Sequence, residues 1–347
     1  MRYLKSFIHS ITQPSVTIVI AAYRRVDVLN RTLQSIYRQT YKNWRVLIVA
    51  DHCDSNFFKG LDLSHPNVNA INLPVRIGHQ YGPNSVGIEL ADSEYIAFLN
   101  HDDYWLEDHL EIALKSLKKG KSNLFLGKSA FCHHKNQLEA CMARKRVVFS
   151  ETNFPEMYWR AFIGPNWLFE PASSWVVSTK LAKKVGYWNA PDKISFTPVM
   201  DWLQRCFINQ ASVSFSTEVT CLKFNLHIPT PKSVNSYDGD GLCADQVKFI
   251  MGMGKDEIRK ILAEDLQSYS EFSLTNREHM LTQEDESQVK QNFEGYVSGQ
   301  MQLGNRVNAT EALRNNAINT IKQRTGEDFD SFIAVEELLQ LLSEIEQ

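Results

Sequence analysis

The stretch VTIVIAAYRRVDVLNRTLQSIY, residues 16–37, changes its hydrophobic period at Tyr23. VTIVIAA (16–22) is a continuous apolar, β-branched run, as in a strand buried on both faces. Val28, Leu29, Thr32, Leu33, Ile36 and Tyr37 then recur at helical spacing. The alternation continues. WRVLIVA (44–50) and VNAINL (68–73) read as strands, SVGIELA (85–91) as a helix, and EYIAFLN (94–100) as a fourth strand. LEDHLEIALKSLKKG (106–120) has acids in its first turn and lysines, then glycine, in its last, the start and stop signals of a helix. Such alternation predicts an α/β fold, a mostly parallel sheet with helices on both faces, in which ligands bind beyond the carboxyl ends of the strands where strand order reverses. The loops after strands one, two and four carry Ala21-Ala22-Tyr23, Asp51 and LNHDDYW (99–105), and are expected to converge on one crevice.

From about residue 123 the pattern changes to mixed strands, NLFLGKSAFCHH (123–134), KRVVF (145–149), SSWVVS (173–178) and EVTCLKF (218–224), with a helix at 199–209. After about 240 the chain is polar and helical, KDEIRKILAEDLQ (255–267) and FIAVEELLQLLSEIEQ (332–347) being its clearest amphipathic pieces. The expected organisation is an extension, 1–13, a domain over 14–239 with halves 14–122 and 123–239, and a C-terminal helical accessory region, 240–347.

The formal net charge of −3 over 347 residues gives no global pull toward nucleic acid or an anionic membrane, so any polyanion site must be local. Six scattered cysteines and no long apolar leader lead us to expect reduced thiols in a cytoplasmic protein. No window approaches the roughly 18 apolar residues of a membrane span. The basic, partly amphipathic MRYLKSFIHSI (1–11) leaves two readings, a frayed terminus or a peripheral contact at the inner face of the membrane. Cys132, His133, His134 and Cys141 match no structural zinc spacing.

The turn after strand one, AAYRRVD, lacks the Gly-x-Gly-x-x-Gly of dinucleotide binding, and no Gly-x-x-x-x-Gly-Lys-Ser/Thr is present. A nucleoside diphosphate held here needs another counter-charge. A divalent metal held by carboxylates is the usual solution.

The run from about 14 to 103, through VTIVIAAYRRVDVLNRTLQSIYRQTYKNWRVLIVADHCD and NSVGIELADSEYIAFLNHDDYWLEDHL, resembles the nucleotide-binding half of family 2 glycosyltransferases of the GT-A fold. That resemblance implies inverting transfer of a sugar, more often from a UDP-sugar, to an acceptor hydroxyl of a glycan or lipid-linked saccharide in surface polysaccharide synthesis. It also implies that Asp51 hydrogen-bonds the base, that Ala22 and Tyr23 line the base pocket, and that Asp102 ligates Mg²⁺ or Mn²⁺ across the two phosphates. His101 is expected as a wall of the cleft. The family's first motif acid is Asn100 here, which can bond a ribose but weakens the field at the metal. Asp103 is expected to cap the following helix.

In PVMDWLQRCF (198–207), Asp201 lies near a helix start with Arg205 one turn later on the same face. The resemblance makes Asp201 the catalytic base, with Met200 where the family has Glu. An ion pair with Arg205 is the alternative role, and compatible with the first. EPASSWVVSTKLAKKVGYWN (170–189) also resembles the family, its turn being Gly186-Tyr187-Trp188. Trp175 and Trp167 read either as sugar-stacking platforms or as core. By the same resemblance His227 completes the metal shell and Lys232 neutralises the leaving diphosphate. Two rival classes are a nucleotidyltransferase, disfavoured by the absence of glycine in AAYRRVD, and a non-catalytic nucleotide-sugar binder, suggested by Asn100 and Met200.

Overall fold

The computed structural model describes residues 14–133, 137–140, 171–194, 197–224, 244–264, 306–325, 327–329 and 331–345. Four strands, β1 (Val16–Ala22), β2 (Trp44–Ala50), β3 (Val68–Asn72) and β4 (Tyr95–Phe98), pair in parallel in the order β3-β2-β1-β4. Beyond β4 the sheet becomes mixed, through β5 (Tyr104–Trp105), β6 (Leu124–His133), β7 (Gln137–Ala140), β8 (Trp175–Ser178) and β9 (Val213–Phe224). β8 is antiparallel to β4 and to β6, β9 runs parallel to β6, β5 ends the sheet beside β9, and β7 pairs antiparallel with β6.

Alternation along each strand divides the core between two faces. Val16, Ile18, Ile20 and Ala22 of β1 meet helices α1 (Val26–Tyr37) and α2 (Ser55–Gly60), together with a later helix described below, on one side. Val19 faces α3 (Tyr81–Leu90) on the other. α3 approaches β1 so closely that a Cβ on Gly87 would stand 2.2 Å from Val19 Cγ1. α3 begins four residues ahead of the expected start, because Pro83, which reads as a breaker, sits in the first turn where its missing N–H costs nothing. The first face is completed by α4 (His109–Gly120), whose Leu110, Ala113, Leu114 and Leu117 lie at helical spacing.

The second face is closed by α5 (Thr179–Val185) and α6 (Pro198–Ile208), which pack Leu181, Ala182, Trp202, Leu203 and Cys206 against it. The described C-terminal helices join these cores. α7 (Ala244–Gly252) and α8 (255–264) place Val247, Ile250, Ile258 and Leu262 against Val28, Tyr104, Leu222 and Phe224. Arg259 of α8 forks onto Asp108 at 2.8 and 2.9 Å and donates to the Val219 carbonyl. After α9 (Arg306–Thr325), α10 (Val335–Ile345) buries Val335 and Leu338 on the α3 face. The described helices beyond 240 therefore pack into two of the hydrophobic clusters. Among the described residues no helix is long and apolar enough to cross a membrane.

His109 supplies a built-in acid sensitivity. It is fully buried, stacks on Trp105 with ring centroids 4.2 Å apart, and has Nδ1 2.9 Å from Thr220 Oγ1. Burial pushes its pKa down to about 3, against the opposing pull of Asp108. The unfolded chain takes up this proton near pH 6.5 and the native state only near 3, so stability is full above 6.5 and lost as pH falls through that window. Between pH 7 and 5 the loss is expected to be about 2 kcal/mol. Urea denaturation at both pH values checks this: His109→Gln should flatten the pH dependence, and an unchanged slope in the variant would overturn it.

Candidate active site

Parallel pairing brings the ends of β1 and β2 level, Ala22 opposite Ala50, so the first two loops start side by side. The Asp51 amide donates to the Ala22 carbonyl at 2.8 Å. The buried Asp51 carboxylate accepts one hydrogen bond on each oxygen, from the Ile77 and Gly78 amides at 2.7 Å. Burial pushes its pKa up to about 6, while those two amides and Arg76 pull the other way. Each oxygen retains a further lone pair. Gly78 has φ +69°, and a Cβ there would stand 2.9 Å from Ile321 Cδ1. Arg24, Arg25 and His52, all non-glycine, also occupy the left-handed region at φ 51 to 53°. Such backbone costs about 1 kcal/mol or more per residue and collects where loops are shaped for binding. Here all three follow β1 or β2 at the crevice edge. Tyr23 lies under two guanidiniums, Arg76 at 4.4 Å and Arg24 at 5.1 Å from its ring centroid.

The loop after β4 is tied down at several points. Thr32 Oγ1 of α1 lies 2.9 Å from both the His101 and Asp103 carbonyls, to which it donates. Asp103 is not the expected helix cap: α4 begins only at His109, after Asp108, and the Asp103 side chain is fully buried. Its Oδ2 accepts from Ser173 Oγ, from Asn100 Nδ2 at 3.1 Å and from Lys223 Nζ of β9 at 3.2 Å. The physical reason is charge. A carboxylate taken into the core needs donors, and an amide at position 100 supplies one where an acid would repel. Burial opposes the Lys223 charge, but Asp103 and then Asp102 outweigh it and hold the ammonium well above its usual range. Burial raises the Asp103 pKa, opposed mainly by Lys223.

Asp102 has a different setting. It faces Arg25 Nη1 at 3.7 Å, an ion pair looser than a hydrogen bond. His101 and Asp102 are each 8% exposed. A small recess beside Asp102 and Asp103 is walled by Val28, Arg31, Thr32 and Tyr104 with the apolar ends of β9 and α7. Among the described residues no group of three or more His, Cys, Asp or Glu is placed to hold a metal ion. Asp102 nevertheless suits one. Mg²⁺ is commonly held by one or two carboxylates plus substrate phosphates rather than by an all-protein cage, and Arg25 sits at displaceable distance.

Asp201 lies in the first turn of α6, whose cap is Thr197. Its Oδ2 accepts from Arg205 Nε at 2.9 Å and Asn189 Nδ2 at 3.1 Å. Each of the other two Arg205 guanidinium nitrogens also donates, to the Val185 and Tyr187 carbonyls at 2.8 and 2.7 Å. The next residue, Trp202, meets Phe98 at the end of β4 with centroids 5.4 Å apart, so α6 starts beneath the carboxyl end of that strand. Trp175 cannot stack on a sugar. It is wholly buried and packs on Trp188 and Trp202, because β8 places it on the inner face between β4 and β6. His227, Lys232 and Trp167 lie outside the described residues.

Sequence reasoning missed Arg25, Arg76, Ser173 and Lys223. Lys223 had a signal: a lysine inside the apolar EVTCLKF strand implies a buried partner. Arg76 had none, since only folding brings it over Tyr23.

The strand order is that of an α/β protein of the GT-A type, a parallel half continued by a mixed one. Residues 17–186 match the model of glycosyl transferase family 2, and this part of the chain belongs to that family. The UDP-Glc:α-D-GlcNAc-diphosphoundecaprenol β-1,3-glucosyltransferase WfgD of Escherichia coli is 23% identical over 137 residues, 39% of this chain and 54% of that protein. The succinoglycan biosynthesis protein ExoW of Rhizobium meliloti (strain 1021) is 27% identical over 186 residues, 49% of this chain and 57% of that protein. The chain thus spans little more than half the length of these relatives. A crystal structure of S. aureus TarS 1-349 with UDP-GlcNAc aligns over 92% of this chain and 94% of that one, at 16% identity and a TM-score of 0.45.

Proposed function

We propose that this protein is an inverting glycosyltransferase that moves a sugar from a UDP-sugar to a hydroxyl of a saccharide or lipid-linked acceptor in surface polysaccharide synthesis. The observation that carries the reading is the convergence of Tyr23, Asp51 and Asp102 on one sheet edge of a family 2 domain. The printed functions of the two curated relatives support the pathway.

In this reading Asp51 accepts an N–H from the base with a lone pair its amide partners leave free, and Tyr23 and Ala22 wall the base pocket. Asp102 would hold Mn²⁺ or Mg²⁺, and by the family resemblance His227 would be a further ligand and Lys232 a counter-charge to the diphosphate. When bound, the ion neutralises charge gathering on the departing diphosphate. Asp103, whose Oδ2 is held by Lys223, Ser173 and Asn100, acts by fixing the loop that presents Asp102. Asp201 takes the acceptor proton as the hydroxyl oxygen attacks the anomeric carbon. The bond from that carbon to the phosphate oxygen breaks, and its electron pair leaves with the diphosphate. Arg205 keeps the Asp201 carboxylate oriented. Residues 14–122 thus serve the donor and 123–239 the acceptor.

Release of UDP from a panel of UDP-sugars, with Mn²⁺ and undecaprenyl-diphosphate-linked saccharides as acceptors, tests this. Activity is expected with at least one pair, and Asp102→Asn should lower it at least about 100-fold, the scale of a lost charge-stabilising contact. Full activity in Asp102→Asn would refute its assignment.

A further inference from the structure

Asp102 and Asp103 are chain neighbours with unlike cations. Lys223 donates to Asp103 Oδ2 at 3.2 Å, and Ser173 and Asn100 donate to the same oxygen, so that pair is hydrogen-bonded and braced. Arg25 Nη1 stands 3.7 Å from Asp102 Oδ2, beyond hydrogen-bond distance, although the two side chains are only 5% and 8% exposed. One carboxylate has a built-in partner, and the other faces its counter-ion across a gap.

Arg25 is also a poor choice on local grounds. It is the N-cap of α1, where Ser, Thr, Asp and Asn are preferred, and its side chain makes no capping hydrogen bond. Its backbone is left-handed at φ 53°, a strained setting for any residue but glycine. A cation beside a helix N-terminus also meets the positive end of the helix dipole. Three local costs thus meet at one residue, and among the described residues the carboxylate that offsets them is Asp102.

A divalent ion ligated by Asp102 takes over that carboxylate and repels the guanidinium. Arg25 then needs another anion. The phosphate oxygens of a nucleoside diphosphate supply one, and they match the two-pronged fork of arginine.

We propose that Arg25 is the resident cation of Asp102, that a divalent metal displaces it, and that it then grips the phosphates of the donor. This rests on the reading of Asp102 as a metal ligand in a nucleotide-sugar site. Metal and nucleotide binding are then coupled, because the metal frees the guanidinium that the phosphates take up. Lys223 stays with Asp103 throughout.

Calorimetric titration of the full chain with Mn²⁺ alone, with UDP at saturating Mn²⁺ and with uridine tests it, for wild type, Arg25→Gln and Arg25→Lys. Arg25→Gln keeps a hydrogen-bond donor toward Asp102 but no charge. It should bind Mn²⁺ at least about fivefold more tightly than wild type, because no cation has to leave. It should bind UDP at least about tenfold more weakly, because a charged phosphate contact is lost. Uridine, which has no phosphate, should bind all three proteins alike. Arg25→Lys keeps the charge without the fork, so its Mn²⁺ affinity should stay near wild type while its UDP affinity falls less than in Arg25→Gln. Opposite signs for metal and nucleotide separate an exchange from a loosened loop, which would weaken both. Mn²⁺ binding that is unchanged or weaker in Arg25→Gln overturns the exchange, and unchanged UDP binding overturns the phosphate contact. Should Arg25→Gln not fold, UDP binding by Arg25→Lys equal to wild type overturns the proposal. Mn²⁺ bound by neither wild type nor Arg25→Gln, with uridine still bound, sinks the metal assignment of Asp102 and this inference with it, and leaves the nucleotide site standing.

Discussion

Asp201→Asn is expected to lower turnover about 100- to 10,000-fold, the range over which a general base contributes. Nucleotide affinity should stay within about twofold, since among the described residues the hydrogen-bond partners of the Asp201 carboxylate are Arg205 and Asn189. The amide retains an oxygen toward Arg205, so the helix start should survive, while the ability to take a proton is gone. Steady-state kinetics and UDP titration on the same preparation separate the outcomes. Turnover within about fivefold of wild type would leave Asp201 only its structural pairing and move the base elsewhere.

Lys223→Met is expected to cost about 3–5 kcal/mol of stability, because it strands the Asp103 carboxylate in the core without its cation. Adding Asp103→Asn should restore a large part of that loss, since removing both charges of a buried pair is often nearly neutral. The Lys223→Met penalty should also shrink in acid, where the carboxyl can protonate. Chemical denaturation of the two single variants and the double variant at neutral and acid pH checks all three points. A cost below about 1 kcal/mol for Lys223→Met would mean that the pair is solvated rather than buried.

The parallel half was legible because its signals are local. VTIVIAA and WRVLIVA match β1 and β2 residue for residue, their apolar runs reflecting cover on both faces. The first turn of α3 was hidden by Gly82 and Pro83, and its true start depends on packing against β1. At the site, the placement of Asp51 at the crevice could be read from the strand that precedes it. The distinction between Asp102 and Asp103 could not, because it depends on Lys223, 120 residues further on, and on Ser173. Trp175 illustrates the same limit: a tryptophan beside small residues reads equally as platform or core until β8 is placed between β4 and β6.

The central claim, that the carboxyl edge of β1, β2 and β4 binds a nucleoside diphosphate, is tested most directly by thermal shift with UDP, CDP, GDP and ADP, each with and without Mn²⁺. A ligand that binds only the native state stabilises it by about 2.7 kcal/mol at 100 times its dissociation constant, a rise of a few degrees for a chain of this size. The account predicts such a rise with UDP, larger with Mn²⁺ in wild type, and losing that metal dependence in Asp102→Asn. No rise with any of the four nucleotides would contradict it.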